Sequence, residues 1–139
     1  MKRVLLLISA LFAALVVSAC TNLVEEDTSL EQVTGTLTYR ERVALPDNAR
    51  ITVTLSDVSK MDVAAEVISH QAFLADGNQV PFAYQLNFLR DDIKPQQTYA
   101  VSARIEVDGK LMFITDTANH VITDPANTIQ KNLVLIKVK

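Results

Sequence analysis

Apolar and polar residues alternate without a break through Arg50-Ile51-Thr52-Val53-Thr54-Leu55-Ser56-Asp57. Period two puts Ile51, Val53 and Leu55 on one face and Thr52, Thr54 and Ser56 on the other, which suits an extended strand with one buried side. The pattern recurs at Val33–Arg40, where Val33, Gly35, Leu37 and Tyr39 share a face. It recurs again at Phe82–Phe88, where Phe82, Tyr84, Leu86 and Phe88 share one. Thr98–Val107 and Lys110–Asp116 are two further strands. Asn132–Lys139 is so densely apolar that it predicts a final strand buried on much of both faces. Asp62–His70 is ambiguous: Val63, Ala65 and Val67 alternate, while Val63, Val67, His70 and Leu74 sit at helical spacing. Strand is preferred there because the neighbouring elements are strands. Turn residues separate these segments at Leu45–Ala49, Ala75–Asn78, Arg90–Gln97 and Asp124–Asn127. The expected fold is all-β: an antiparallel β-sandwich of about seven strands, with an immunoglobulin-like arrangement as one option.

Asp108-Gly109 marks a hairpin between Thr98–Val107 and Lys110–Asp116. A two-residue turn would set apolar residues opposite charged ones. A three-residue loop, Val107-Asp108-Gly109, instead pairs Glu106 with Lys110, Ile105 with Leu111 and Ala103 with Phe113. The three-residue loop is therefore the expectation.

The N-terminus has a different character. Met1-Lys2-Arg3 is followed by fourteen residues, Val4–Val17, broken only by Ser9, and then by Ser18-Ala19-Cys20. A charged start, an apolar middle and a small-residue end make a secretory signal peptide. The apolar run is shorter than the ~20 residues of a spanning helix. Val17-Ser18-Ala19-Cys20 resembles the lipobox of bacterial lipoproteins. The resemblance implies cleavage before Cys20, acylation of its sulfur and new amino group, and attachment to a membrane by lipid. Thr21 lacks the aspartate that favours inner-membrane retention in Gram-negative lipoproteins, so the outer membrane, facing the periplasm, is the implied destination. Three parts are expected: signal peptide 1–19, lipidated cysteine and acidic tether 20–32, and β domain 33–139. Loss of Lys2 and Arg3 takes the 13 basic residues to 11 against 16 acidic ones, moving the net charge from −3 to −5.

That acidic balance argues against a nucleic-acid partner. With one cysteine there is no internal disulfide and no multi-cysteine zinc site. His70 and His120 stand alone in their regions, without metal spacing. The three glycines, Gly35, Gly77 and Gly109, lie too far apart to cradle a phosphate. No enzyme, metal or cofactor is expected. Binding is the better prospect, and Arg42, Asp57, Phe82, Tyr84 and Arg104 are the candidate residues. Asp57 could pair an arginine of the Arg40, Arg42 and Arg50 set, as a rim ion pair or a ligand contact. Phe82 and Tyr84 could be core or the wall of a groove.

The order of several segments resembles the YbaY/YscW family of bacterial lipoproteins. These segments are Gly35–Arg42, Ala44–Ala49, Ile51–Val58, Val80-Pro81-Phe82, Tyr99–Ile105 and Gly109–Asp116, within Val33–Ile122. The resemblance implies a lipid-anchored β-domain, closer to the YbaY branch. The YscW branch contains pilotins, which escort a secretin subunit of type III secretion to the outer membrane. No catalytic residues come with it. The expected function is therefore a pilotin-like or chaperone-like partner of a secretin or other envelope protein. The alternative is a structural or stress-related envelope lipoprotein that binds a glycan or small ligand.

Overall fold

Strands form wherever the alternation was read, and the computed structural model describes residues 29–60 and 62–138. The expected signal peptide, Cys20 and most of the expected tether lie outside the described residues. In chain order the strands are β1 (Leu30–Tyr39), β2 (Arg50–Asp57), β3 (Glu66–Leu74) and β4 (Phe82–Leu89). After a 3-10 turn at Arg90–Asp92 come β5 (Tyr99–Val107), β6 (Lys110–Ile114), β7 (Asn119–Val121) and β8 (Leu133–Lys137). β1 starts three residues before Val33, within the expected tether. There Leu30, Glu31 and Gln32 pair with Leu89, Phe88 and Asn87 of β4, and the Arg90 guanidinium takes the Glu31 carboxylate. The Asp62–His70 segment resolves as strand, but β3 opens only at Glu66 and runs on to Leu74, because β2 offers it a pairing edge as far as Arg50.

The two-layered antiparallel sandwich gives way to one eight-stranded sheet, in the order β3-β2-β5-β6-β8-β1-β4, with β7 also paired to β5. β8 is what joins the would-be layers. It bonds to β6 on one side and to β1 on the other, and the β1 pairing is parallel, with Leu37 opposite Leu133 and Tyr39 opposite Leu135. The sheet curls until its two end strands lie side by side, so that it is nearly closed as a barrel. Phe73 of β3 meets Phe82 of β4 edge to face, at 5.8 Å between ring centres.

The inward residues fill the interior. Val33, Leu37, Ile51, Val53, Leu55, Ile105, Phe113 and Leu133 are all essentially inaccessible to water. Tyr39 stacks on Phe113 at 4.1 Å, and its hydroxyl donates to the Val43 carbonyl. β8 was expected to be buried on both faces, yet Val134 and Ile136 are each 43% exposed. A single curled sheet has no second layer to cover its outside.

The β5–β6 hairpin also differs from expectation. Glu106 lies opposite Leu111 and Val107 opposite Lys110, so the loop is the two-residue Asp108-Gly109, both with positive φ (51° and 78°). Positive φ at both positions is the I′ geometry that such hairpins favour. The apolar match is recovered one step further on. A bulge at Met112 brings Phe113 opposite Ile105. β7 was not among the strands expected from sequence. It resumes the β6 path along β5, with Thr115 bridging the break by bonding to both the Ala103 carbonyl and its N–H.

Gly35 marks a close crossing. The Lys131 carbonyl turns inward there and accepts the Tyr84 hydroxyl, and a Cβ on residue 35 would collide with it. Thr34 bonds the same passing segment through Ile129 and Lys131, which extends the β1–β8 pairing toward the start of β1.

Candidate functional site

An eight-stranded sheet that fails to close has two strand edges left over, and here they face each other. Among the described residues β4 pairs with β1 alone, and β3 with β2 alone. N–H and C=O of one residue point to the same side of a strand, and successive residues alternate. The Arg90 N–H donates to Ser29 on the β1 side. Alternation therefore turns the backbone groups of Ala83, Gln85, Asn87 and Leu89 away from β1, toward β3. On β3 the Ala75 N–H donates to Ala49 on the β2 side, which turns His70, Ala72 and Leu74 outward to the seam. Among the described residues no backbone ladder joins the two strands. A side chain spans the gap instead: the Gln85 N–H donates to Gln71 Oε1 at 2.8 Å.

Two hollows adjoin the seam. At the end where β3 begins and β4 finishes lies a recess of ≈ 340 Å³, floored by Val67 and Ile68. Four carboxylates line it, from Asp57, Glu66, Asp91 and Asp92, against one ammonium, Lys94. Asp57 and Glu66 are cross-strand partners, a like-charge pair. The Ser59 hydroxyl (2.6 Å) and N–H (2.9 Å) donate to Asp57 and hold its carboxyl below the usual range, with Lys60 and Lys94 adding to the effect. Beside the middle of the seam runs a shallow groove of ≈ 470 Å³, lined by uncharged polar groups that include Thr34, Thr36, Gln71, Gln85, Gln130 and Asn132. Asn132 Oδ1 already accepts from the Thr36 N–H and hydroxyl.

The structure scatters the five residues proposed from sequence. Phe82 and Tyr84 are core. Burial pushes the Tyr84 phenol up to about 12. Arg42 is exposed in the β1–β2 loop. Arg104 lies on the outer face of β5, paired with Glu106 at 2.8 Å, beside a shallow hollow that contains Thr52, Thr54 and Ser102. Asp57 bonds Ser59 and lines the acidic recess at one end of the seam. Phe82 and Tyr84 sit on the β4 lip itself, Phe82 against Phe73 and Tyr84 beside the neutral groove, while Arg42 and Arg104 line neither hollow at the seam. His70 and His120 are both exposed, on β3 and β7. Among the described residues no group of three His, Cys, Asp or Glu could hold a metal ion, and no helix is long and apolar enough to cross a membrane. Gln71 and Gln85 were missed. Polar residues on outward strand positions look alike in sequence, and only the curl of the sheet brings these two together.

Residues 28–135 match the family described as type III secretion system lipoprotein chaperone (YscW). That stretch runs past Ile122 and into β8 as far as Leu135. Over 105 residues the chain is 40% identical to a lipoprotein of Escherichia coli (strain K12), YbaY, itself described as uncharacterized. The match covers 76% of this chain and 55% of that one, so the chain spans about half the length of the curated relative. A solved structure described as an alternative pilotin from the type II secretion system of Vibrio cholerae superposes with a TM-score of 0.77 at 52% identity. It covers 79% of this chain, and the match takes in 98% of the pilotin.

Proposed function

We propose, since this chain belongs to the YscW family of lipoprotein chaperones, that it is a pilotin-like binding module for a secretin or another envelope protein. A lipid on Cys20 holds it to the outer membrane, facing the periplasm, and the acidic segment after Cys20 gives the domain reach. The observation that carries this reading is the 52% identity with the Vibrio cholerae pilotin over nearly all of that protein. The module acts by binding, without catalysis or a cofactor.

The test is deletion of the gene, with secretin multimers measured in outer-membrane fractions. The reading expects secretin to be lost from that fraction, with recovery by the wild-type gene but not by Cys20→Ser. Normal amount and location of every secretin and envelope assembly in the deletion strain contradicts it. The Cys20→Ser protein should stay uncleaved or leave the membrane; cleavage and membrane attachment unchanged from wild type contradict lipidation.

A second reading, binding of a neutral glycan or small ligand, is favoured by the amide- and hydroxyl-lined groove beside the seam. It expects crosslinking from membranes to capture no protein partner, and added glycan to shift the amides of Gln85 and Asn132.

A further inference from the structure

The β4 edge is held in an unusual way. Exposed edges are commonly protected by charge, by proline or by a covering segment. Here the central N–H, that of Gln85, is capped by one side-chain amide from across the seam. The Gln71 Oε1 acceptor occupies the position a neighbouring strand's carbonyl would take, so an incoming backbone can replace it bond for bond. Outward from that edge, Ala83, Gln85 and Asn87 present small or uncharged side chains that raise no charge barrier to an added strand. One end of the seam opens on the acidic recess, where Asp91 and Asp92 follow directly on β4.

We propose that the free edge of β4 is a docking site for an extended, basic segment of a partner protein. The segment pairs with the backbone of Ala83, Gln85 and Asn87 after displacing the Gln71 side chain. Its positive end sits over the recess formed by Asp57, Glu66, Asp91 and Asp92. Main-chain pairing supplies the binding, and the carboxylates select orientation and charge. This deepens the proposed function by naming the chemistry of the segment bound, and it rests on that reading only for its role in the cell.

The test uses the isotopically labelled full-length lipoprotein in detergent and three ten-residue peptides. One alternates Thr and Val and ends in two lysines. The second ends in two aspartates instead, and the third carries two central prolines. The lysine peptide should shift the amides of Ala83, Gln85 and Asn87 and bind about tenfold more tightly than the aspartate peptide at low salt. The proline peptide should not bind. Gln71→Ala removes the competing acceptor and should tighten binding about fivefold. Asp91→Asn with Asp92→Asn, both exposed and safe for folding, should narrow the preference for lysine. The proposal is overturned by shifts centred elsewhere, such as on Val134 and Ile136, by equal binding of the proline peptide, or by no shift at these amides at millimolar lysine peptide. Because purified protein and peptide are used, failure here leaves the secretin assay untouched, and failure of that assay leaves this result standing.

Discussion

β4 and β3 end the same sheet and face each other, yet they are held very differently. Along β4, Phe82, Tyr84, Leu86 and Phe88 are all buried, with exposed residues strictly between them. β3 has no fully buried residue. Ile68 and Phe73 pack partly against the core, while Val67 and Leu74 face water at 57% and 56% exposure. A bulge at Ile68 interrupts its pairing with β2. One lip of the seam is therefore fixed in the core, and the other is attached chiefly through its ladder. The contrast bears on the proposed docking: β3 is the less buried lip and the one that would have to give way, while β4 is held in register by its buried face.

The largest effect that can break this comparison is a matched pair of truncations. Phe88→Ala on β4 should cost about 4 kcal/mol, as full loss of a buried ring does. Phe73→Ala on β3 should cost about half as much, because that ring is only partly buried. Denaturant midpoints measure both, and equal costs would show the two lips equally anchored. Gly35→Ala should cost about 3 kcal/mol by overpacking, since its Cβ meets the Lys131 backbone, whose position Tyr84 also fixes. Unfolding in urea reads it directly, and a neutral outcome would mean that the crossing segment moves aside freely.

Tyr84→Phe should cost about 1 kcal/mol by leaving the Lys131 carbonyl without its donor. It should also change the alkaline behaviour. The buried phenol titrates near 12 in the fold, above its usual 10, so its contribution is fully present below pH 10 and is lost as pH rises toward 12. Replacement by Phe should flatten that fall in stability, measured by melting at several pH values. A slope unchanged from wild type would place the phenol in water. At the small end, Val67→Thr on the outer side of β3 should stay within about 0.5 kcal/mol. A larger loss would show that β3 is gripped by more than its ladder.

Legibility in the sequence followed the same division. β4 could be read residue by residue because each alternate side chain is buried, so local pattern and final environment agree. β2 could be read so only as far as Leu55: Ser56, expected on the outer face, is buried where the pairing with β3 shifts register. The apolar run of β8 promised burial on two sides, but a curled single sheet leaves Val134 and Ile136 uncovered. The order of strands was not legible: the parallel pairing of β8 with β1 is a long-range choice that no local spacing encodes. The hairpin showed a narrower failure. Phe113 does meet Ile105, through a bulge at Met112 where a longer loop had been expected, but Leu111 falls opposite Glu106. The candidate site was mostly hidden, since Asp57 signalled one end of it but Gln71 and Gln85 become partners only when the two ends of the sheet meet.

The most direct test of the account places a photoreactive residue at Gln85 or at Arg104 in the full-length protein and irradiates intact cells. The account predicts that the Gln85 position crosslinks to a secretin or a single other envelope protein in the outer membrane, while Arg104, on the far face of β5, gives little or none. Capture of that same protein from Arg104 but not from Gln85, or of no envelope protein from either position, would contradict it.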